Sequence, residues 1–515
     1  MSLPTKSYKV PASLNMLPRT PLYRWVAVAC LITLVFYFHP NLSGTSIISD
    51  SFAPPRYSST LDDLTWVKEV LSNHSIGPEV SYASRIIKYI PDQTERKEIT
   101  EVDHELLPQK FQDVNMKRLS SLPAAGPVEV HIKKSMRPDD VDASALIFAA
   151  STTYERFTDP ETYPVEEWKR WLTDGQGHSN GAALVLQLFN TTDAQIDSTA
   201  ELLVRSGISA SVVHANTKLD MAGRYVALVE RLYNHPTRDQ RKYFVLVDDD
   251  TFFPALVELQ RVLKKYSPSK PYYIGTFTER AEWFMRDHAP FGFGGGGIFL
   301  TAPMAKAIVE APCLEGKKEG DVWKYNLEAE QGDRLLYNCI TNYTDIRLTY
   351  LPRLHQVDQF GDLSGFYESG DQPLSLHHFK SWHHFNVAKM HVVADACGED
   401  CVLQRFQFKD NFILSNGYSV AEYPKGIDFD PLQSEDTFDN DALIHDVDLA
   451  YSMGAQRPNL AFTGKKRSWE LLDSRREGAG VVRQVYVKHR SDLRWYAKDE
   501  KPTGDDSVLV LVWAP

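Results

Sequence analysis

Lys242-Tyr243-Phe244-Val245-Leu246-Val247-Asp248-Asp249-Asp250-Thr251-Phe252-Phe253 is the stretch around which the rest of the chain can be ordered. Its apolar half does not alternate, which predicts a strand covered on both faces, as in a parallel sheet. The strand then runs into three consecutive carboxylates. Such acids repel one another and are costly to desolvate. A divalent cation would offset that cost and bridge to a diphosphate, since Mg²⁺ and Mn²⁺ favour carboxylate and phosphate oxygens. Taken alone, the triplet also reads as a solvated acidic loop or a helix cap.

Upstream, the same pattern recurs. Arg224–Tyr233 repeats apolar residues at helical spacing, Ile208–His214 is a short strand, and Ala194–Arg205 is helical in pattern. Before them, Ala182–Phe189 is an apolar run behind a Gly/Ser/Asn-rich turn. Ala145–Ala150 is another, ending in Ser151-Thr152-Thr153. Strands alternating with helices predict an α/β sheet, whose ligands bind at the carboxyl ends of strands. The acid triplet stands at such an end.

Downstream lie three further constellations. Phe291-Gly-Phe-Gly294-Gly295-Gly296-Gly297-Ile298-Phe299 removes four consecutive Cβ atoms, so backbone can approach a sugar or phosphate closely. A flexible tether is also Gly-rich, but the apolar flanks ask for burial and favour a substrate-lining loop. No Gly-Lys-Ser/Thr follows, so this is not a P-loop. Glu328-Ala-Glu-Gln-Gly-Asp333 enters a helical stretch, where Asp333 reads either as a helix cap or as a general base. Ser375-Leu-His377-His378-Phe-Lys-Ser-Trp-His383-His384 places four histidines within eight residues; they read as ligands completing a metal site or as surface histidines beside aromatic residues.

The flanks bound the setting. The chain has 515 residues, a formal net charge of -12 and 43% hydrophobic content. That excludes global disorder and argues against a nucleic-acid partner, which would need a basic stripe. Residues 1–49 carry no acid, and Lys6, Lys9, Arg19 and Arg24 precede the uncharged run Trp25–Phe38. A basic flank before an apolar run keeps the N-terminus cytosolic. The run suits a cleaved signal almost as well as an anchor, but Phe36-Tyr37-Phe38 and the lack of a small-residue cleavage site favour an anchor. The expected organisation is a cytosolic tail (1–21), a transmembrane signal-anchor (22–39), a Pro-punctuated luminal stem (40–142), a catalytic α/β domain (143–395) and a mostly β extension (396–515). Asn41, Asn73, Asn190 and Asn342 head glycosylation sequons. Outside the apolar run, Cys313, Cys339, Cys397 and Cys401 form an even set suited to an oxidising lumen, with Cys313–Cys339 and Cys397–Cys401 the favoured pairing of three.

Across residues 145–385, the strand leading to Asp248-Asp249-Asp250-Thr251, the Gly294–Gly297 run, the helix-initiating Asp333 and Ser375-Leu376-His377-His378 together resemble the Fringe-like branch of glycosyltransferase family 31, in its divergent fungal and plant form. The resemblance implies a GT-A-like nucleotide-sugar-binding fold, a UDP-sugar donor, Mn²⁺ (or Mg²⁺), a glycan or glycoprotein acceptor, and inversion to a β-linkage, β1,3 in the family. It also implies a type II Golgi membrane protein. Carried over by position, Ala149, Ser151 and Thr152 would line the uridine pocket, with Asp248 and Asp249 beside the nucleotide. Gly294 to Gly297 would meet the donor, Gly295 and Gly296 its sugar. Asp250 would hold the metal with Asp248 and His377, His378 being the alternate, and Asp333 would be the catalytic base. Two departures stand out: the glycine run continues as Ile298-Phe299, and the base motif reads Glu-Gln-Gly-Asp. The competing readings are a non-catalytic, lectin-like luminal module and a metal-dependent hydrolase, which would need a second ligand cluster.

Overall fold

The apolar runs around the acid triplet form one mixed, seven-stranded sheet. Its strands are β1 (Leu146–Thr153), β2 (Ala183–Phe189), β3 (Ala210–His214), β4 (Tyr243–Leu246), β5 (Tyr273–Gly275), β6 (Ile298–Thr301) and β7 (Leu348–Tyr350), in the spatial order β7-β5-β6-β4-β1-β2-β3. The computed structural model describes residues 61–123, 125–280, 283, 290–319, 322–438, 454–478 and 480–515. Strands β4, β1, β2 and β3 are mutually parallel; β6 runs antiparallel to both β4 and β5. Helices α1 (Asp193–Arg205) and α2 (Met221–Tyr233) connect β2 to β3 and β3 to β4. Thr192 and Gln195 close a capping box on α1, and Asp220 caps α2.

The non-alternating strands are explained by two cores. Leu146, Phe148, Leu184, Leu186 and Val245 face one, while Ile147, Ala149, Val185, Phe244 and Leu246 face the other. Helix α2 and α3 (Gly332–Tyr343) cover the second face, with Val226, Leu335 and Leu336 fully or nearly fully buried. Cys313 and Cys339 join in a disulfide within that core, and Cys397 joins Cys401.

The stretch expected to be a stem is instead built into a second sheet from residue 61 onward. Strand Glu79–Gln93 lies between its neighbours, parallel both to Ser507–Ala514 and to Pro127–Lys133. The register with the C-terminal strand runs from Ser81↔Ser507 to Lys88↔Ala514. Strand Ile99–Val102 pairs with Arg405–Phe408 at the other end of the ten-stranded sheet. Helix Leu61–Asn73 buries Leu64, Val67 and Val70 against Val485, Val487 and Val510. The β-rich part is therefore not a C-terminal addition alone: chain separated by some 400 residues closes it, in a sheet whose Tyr486, Leu511 and Trp513 share one hydrophobic cluster with Phe148 and Val245. The expected anchor at 22–39 lies outside the described residues; among the described residues no helix is long and apolar enough to cross a membrane.

Candidate active site

Strand β4 delivers the acid triplet to the carboxyl edge of the sheet, and the turn there is tied to two distant segments. Thr251 Oγ1 accepts from the Asp248 N–H (3.0 Å) and donates to the Gly295 carbonyl (2.9 Å). Phe252 and Leu376 exchange two backbone hydrogen bonds of 2.8 Å, and Ser375 Oγ donates to the Gly296 carbonyl (2.7 Å). Acid triplet, glycine run and histidine segment thus meet at one place, on a cleft of about 720 Å³.

The three acids have different partners. Asp249 is buried; it accepts from Thr152 Oγ1 and, in bidentate fashion, from Arg156 Nε (2.7 Å) and Nη2 (2.9 Å). Its charge is engaged with the guanidinium. Asp250 is buried with its Oδ1 at 3.0 Å from His377 Nε2. Burial opposes its ionisation, but His377, then Arg156, outweigh burial and hold Asp250 well below the usual carboxylate range. Conversely, burial disfavours charge on His377, and Asp250 followed by Asp248 reverses that and raises it. Asp248 is the most open of the three, its carboxylate 3.5 Å from His377.

Asp250, His377 and His378 offer ligand atoms that all lie within 4.8 Å of one another, one carboxylate and two imidazoles. Nδ1 of both histidines is buried and unpartnered. That mixed O/N donor set, with His377 Nε2 facing the acids and His378 Nδ1 left without a partner, fits a divalent transition ion. Asp248, expected among the ligands, stands just outside this trio.

Asp333 lies in the first turn of α3, with Gln331 rather than Asp333 at the cap position. Its Oδ1 accepts from the Arg334 N–H (2.8 Å) and its Oδ2 from the Gly294 N–H (3.3 Å). Burial pushes its carboxyl up to about 6, against the pull of those backbone donors. An acid of that strength is mostly ionised at neutral pH yet still basic enough to take a proton, as suits a general base.

Of the expected donor-lining residues, Ser151, Thr152, Asp248, Asp249 and Gly294 line the cleft. Ala149 does not: it faces the α2 core and is fully buried. Nor do Gly295, Gly296 and Gly297, which back the site. A Cβ on Gly295 would come 2.3 Å from His377 Nδ1, and one on Gly296 would come 2.5 Å from Thr276 Cγ2. Gly297 adopts φ +91° before β6. Gly295 is needed for packing beneath His377, and Gly296 for packing against Thr276.

Arg156, Tyr225 and Asp358 also line the cleft and were not singled out from the sequence. Tyr225 reads there as an apolar helix position; its ring packs where Cβ atoms on Gly294 and Gly332 would fall. The Gly of Glu-Gln-Gly-Asp is thereby explained. Of the sequons, Asn73, Asn190 and Asn342 are exposed, and Asn41 lies outside the described residues.

Residues 186–398 match the family model described as Fringe-like. No curated protein sequence matches the chain. Among solved structures, the glycosyltransferase GlyE of Streptococcus pneumoniae TIGR4 is 15% identical over 48% of this chain and 57% of its own, with a TM-score of 0.27. The galactosyltransferase LgtC, in complex with donor and acceptor sugar analogs, is 12% identical over 45% of this chain and 86% of its own, TM-score 0.29. The mannosyltransferase PcManGT of Pyrobaculum calidifontis, in complex with GDP-Man and Mn²⁺, is 12% identical over 40% and 57%, TM-score 0.25. The chain thus spans little more than half of GlyE and PcManGT.

Proposed function

We propose that the protein is a metal-dependent, inverting glycosyltransferase of GT-A type that moves a sugar from a UDP-sugar to a hydroxyl of a glycan or glycoprotein, forming a β-linkage (β1,3 by family resemblance). The observation carrying this reading is the meeting of Asp250, His377, His378 and Asp333 on one cleft at the carboxyl end of β4. The Fringe-like match over 186–398 covers all four of them.

Asp250, His377 and His378 would hold the cation, Mn²⁺ or Mg²⁺, with Asp248 next to it. When bound, such an ion neutralises the diphosphate and stabilises charge on the leaving group. Ser151 and Thr152 at the end of β1 would position the nucleotide, while Arg156 keeps Asp249 from adding an unpaired negative charge beside the diphosphate. Asp333 takes the proton of the acceptor hydroxyl as its oxygen attacks the anomeric carbon. The bond from that carbon to the β-phosphate oxygen breaks, and its electrons leave with UDP. One base and one displacement give inversion.

The basic N-terminal flank, the apolar run after it and the two disulfides support a Golgi-type, membrane-anchored enzyme with its cleft in the lumen. The test is UDP release by the full-length chain over a panel of UDP-sugars with Mn²⁺ and with EDTA. Activity should require the ion and vanish in Asp250→Ala; metal-independent turnover, or full activity in that variant, would remove the reading.

A further inference from the structure

The two adjacent histidines in the cleft are held differently. His377 Nε2 faces Asp250, whereas His378 Nε2 meets Asp358 Oδ1, at 3.0 Å. Asp358 is 1% exposed, a carboxylate buried behind the histidine, with its own N–H donated to Glu279 Oε2. The backbone is left-handed on both sides of this contact. His378 has φ +57° and Val357, beside Asp358, has φ +54°, a left-handed conformation that a β-branched residue rarely adopts. On its open face His378 is covered by Trp382, whose ring lies 3.7 Å away and within 5° of parallel. What remains free is Nδ1, buried and without a partner.

We propose that Asp358 is a positioning residue that fixes the proton of His378 on Nε2, leaving the Nδ1 lone pair for the divalent cation. A carboxylate accepting the far N–H of a metal-bound imidazole sets both the tautomer and the direction of the ring. His378 then stands as a ligand in its own right beside His377. This inference rests on the metal-dependent reading above, but it concerns how the chain presents one nitrogen, which can be observed without a metal or turnover.

Two measurements on the full-length chain test it. In the metal-free protein labelled with ¹⁵N-histidine, the His378 resonances, assigned by their loss in His378→Gln, should report protonation at Nε2; a proton on Nδ1 overturns the proposal. Calorimetric titration with Mn²⁺ at saturating UDP should then show affinity falling about 10- to 100-fold in Asp358→Asn and Asp358→Ala. The nearly isosteric Asn variant, checked by circular dichroism, keeps the comparison interpretable should the Ala variant fail to fold. Unchanged Mn²⁺ affinity in a folded Asp358 variant, with normal binding by the parent, sinks the Asp358 assignment alone. No Mn²⁺ binding by the parent protein removes the metal-dependent reading and this assignment together.

Discussion

Gly295→Ala would place a methyl group 2.3 Å from His377 Nδ1, 2.4 Å from its Cε1 and 2.5 Å from Gln356 Oε1. Restoring ordinary van der Waals contact means moving the imidazole by about 1 Å. It has little room to go. His377 is 5% exposed, its Nε2 lies against Asp250, and its ring is 3.8 Å from that of His378. A retreat of that size changes the geometry of every ligand in the trio. Overpacking of a filled site costs about 1–3 kcal/mol of stability, and a displacement of about 1 Å in a reacting constellation can cost about 100-fold in rate.

Three measurements separate these consequences. Thermal unfolding should show a modest destabilisation with one cooperative transition. Mn²⁺ titration in the presence of UDP should show at least a tenfold loss of affinity, on the order seen when groups around a metal ligand are disturbed. Turnover should fall with it. Gly296→Ala is the matched comparison, because its methyl would meet Thr276, away from the histidines. A Gly295→Ala protein with parental metal affinity and turnover would refute the claim that this glycine exists to seat His377.

Three further outcomes follow from the same geometry. Asp333→Asn should retain UDP and Mn²⁺ binding but lose about 10²- to 10⁴-fold in transfer rate. Because the Asp333 carboxyl is raised to about 6 and works only when ionised, the parental rate should fall as pH drops through 6, an arm the Asn variant should lack in a stopped-assay pH series. Arg156→Ala leaves the buried Asp249 without its bidentate partner; with the guanidinium side chain 42% exposed, solvent screening limits the loss to about 1–2 kcal/mol, read as a lower midpoint in urea, together with weaker UDP binding. A chain beginning at residue 143 should be insoluble or aggregate by light scattering, since removing Glu79–Gln93 and Pro127–Lys133 bares the edge of Ser507–Ala514.

What could be read in advance was local. The run before Asp248 is apolar at every position because each residue meets one core or the other, and that leaves a direct mark on composition. The helix after Asp220 and the entry to α3 carry their own caps or glycines. The meeting of triplet, glycine run and histidines was legible as an ordered set of motifs, although no single one of them requires it.

Strand Glu79–Gln93 was hidden for the opposite reason. Pro91 and the surrounding prolines suggested a linker, yet Val80, Tyr82, Ile87 and Tyr89 are buried and the strand is paired on both sides. Its partner strand lies at the far end of the chain, and no local pattern reports a pairing of such sequence separation. Asp358 was invisible in a different way. Val357-Asp358-Gln359 has no motif, and a lone acid in a loop is ordinarily solvated. Its role arises only from the folded contact between its Oδ1 and Nε2 of His378, whose backbone is left-handed, and no spacing in the sequence specifies that contact. The same reasoning accounts for Gly295. Its lack of a side chain was plain, but whether the space belongs to a substrate or to His377 depends on a neighbour about eighty residues away.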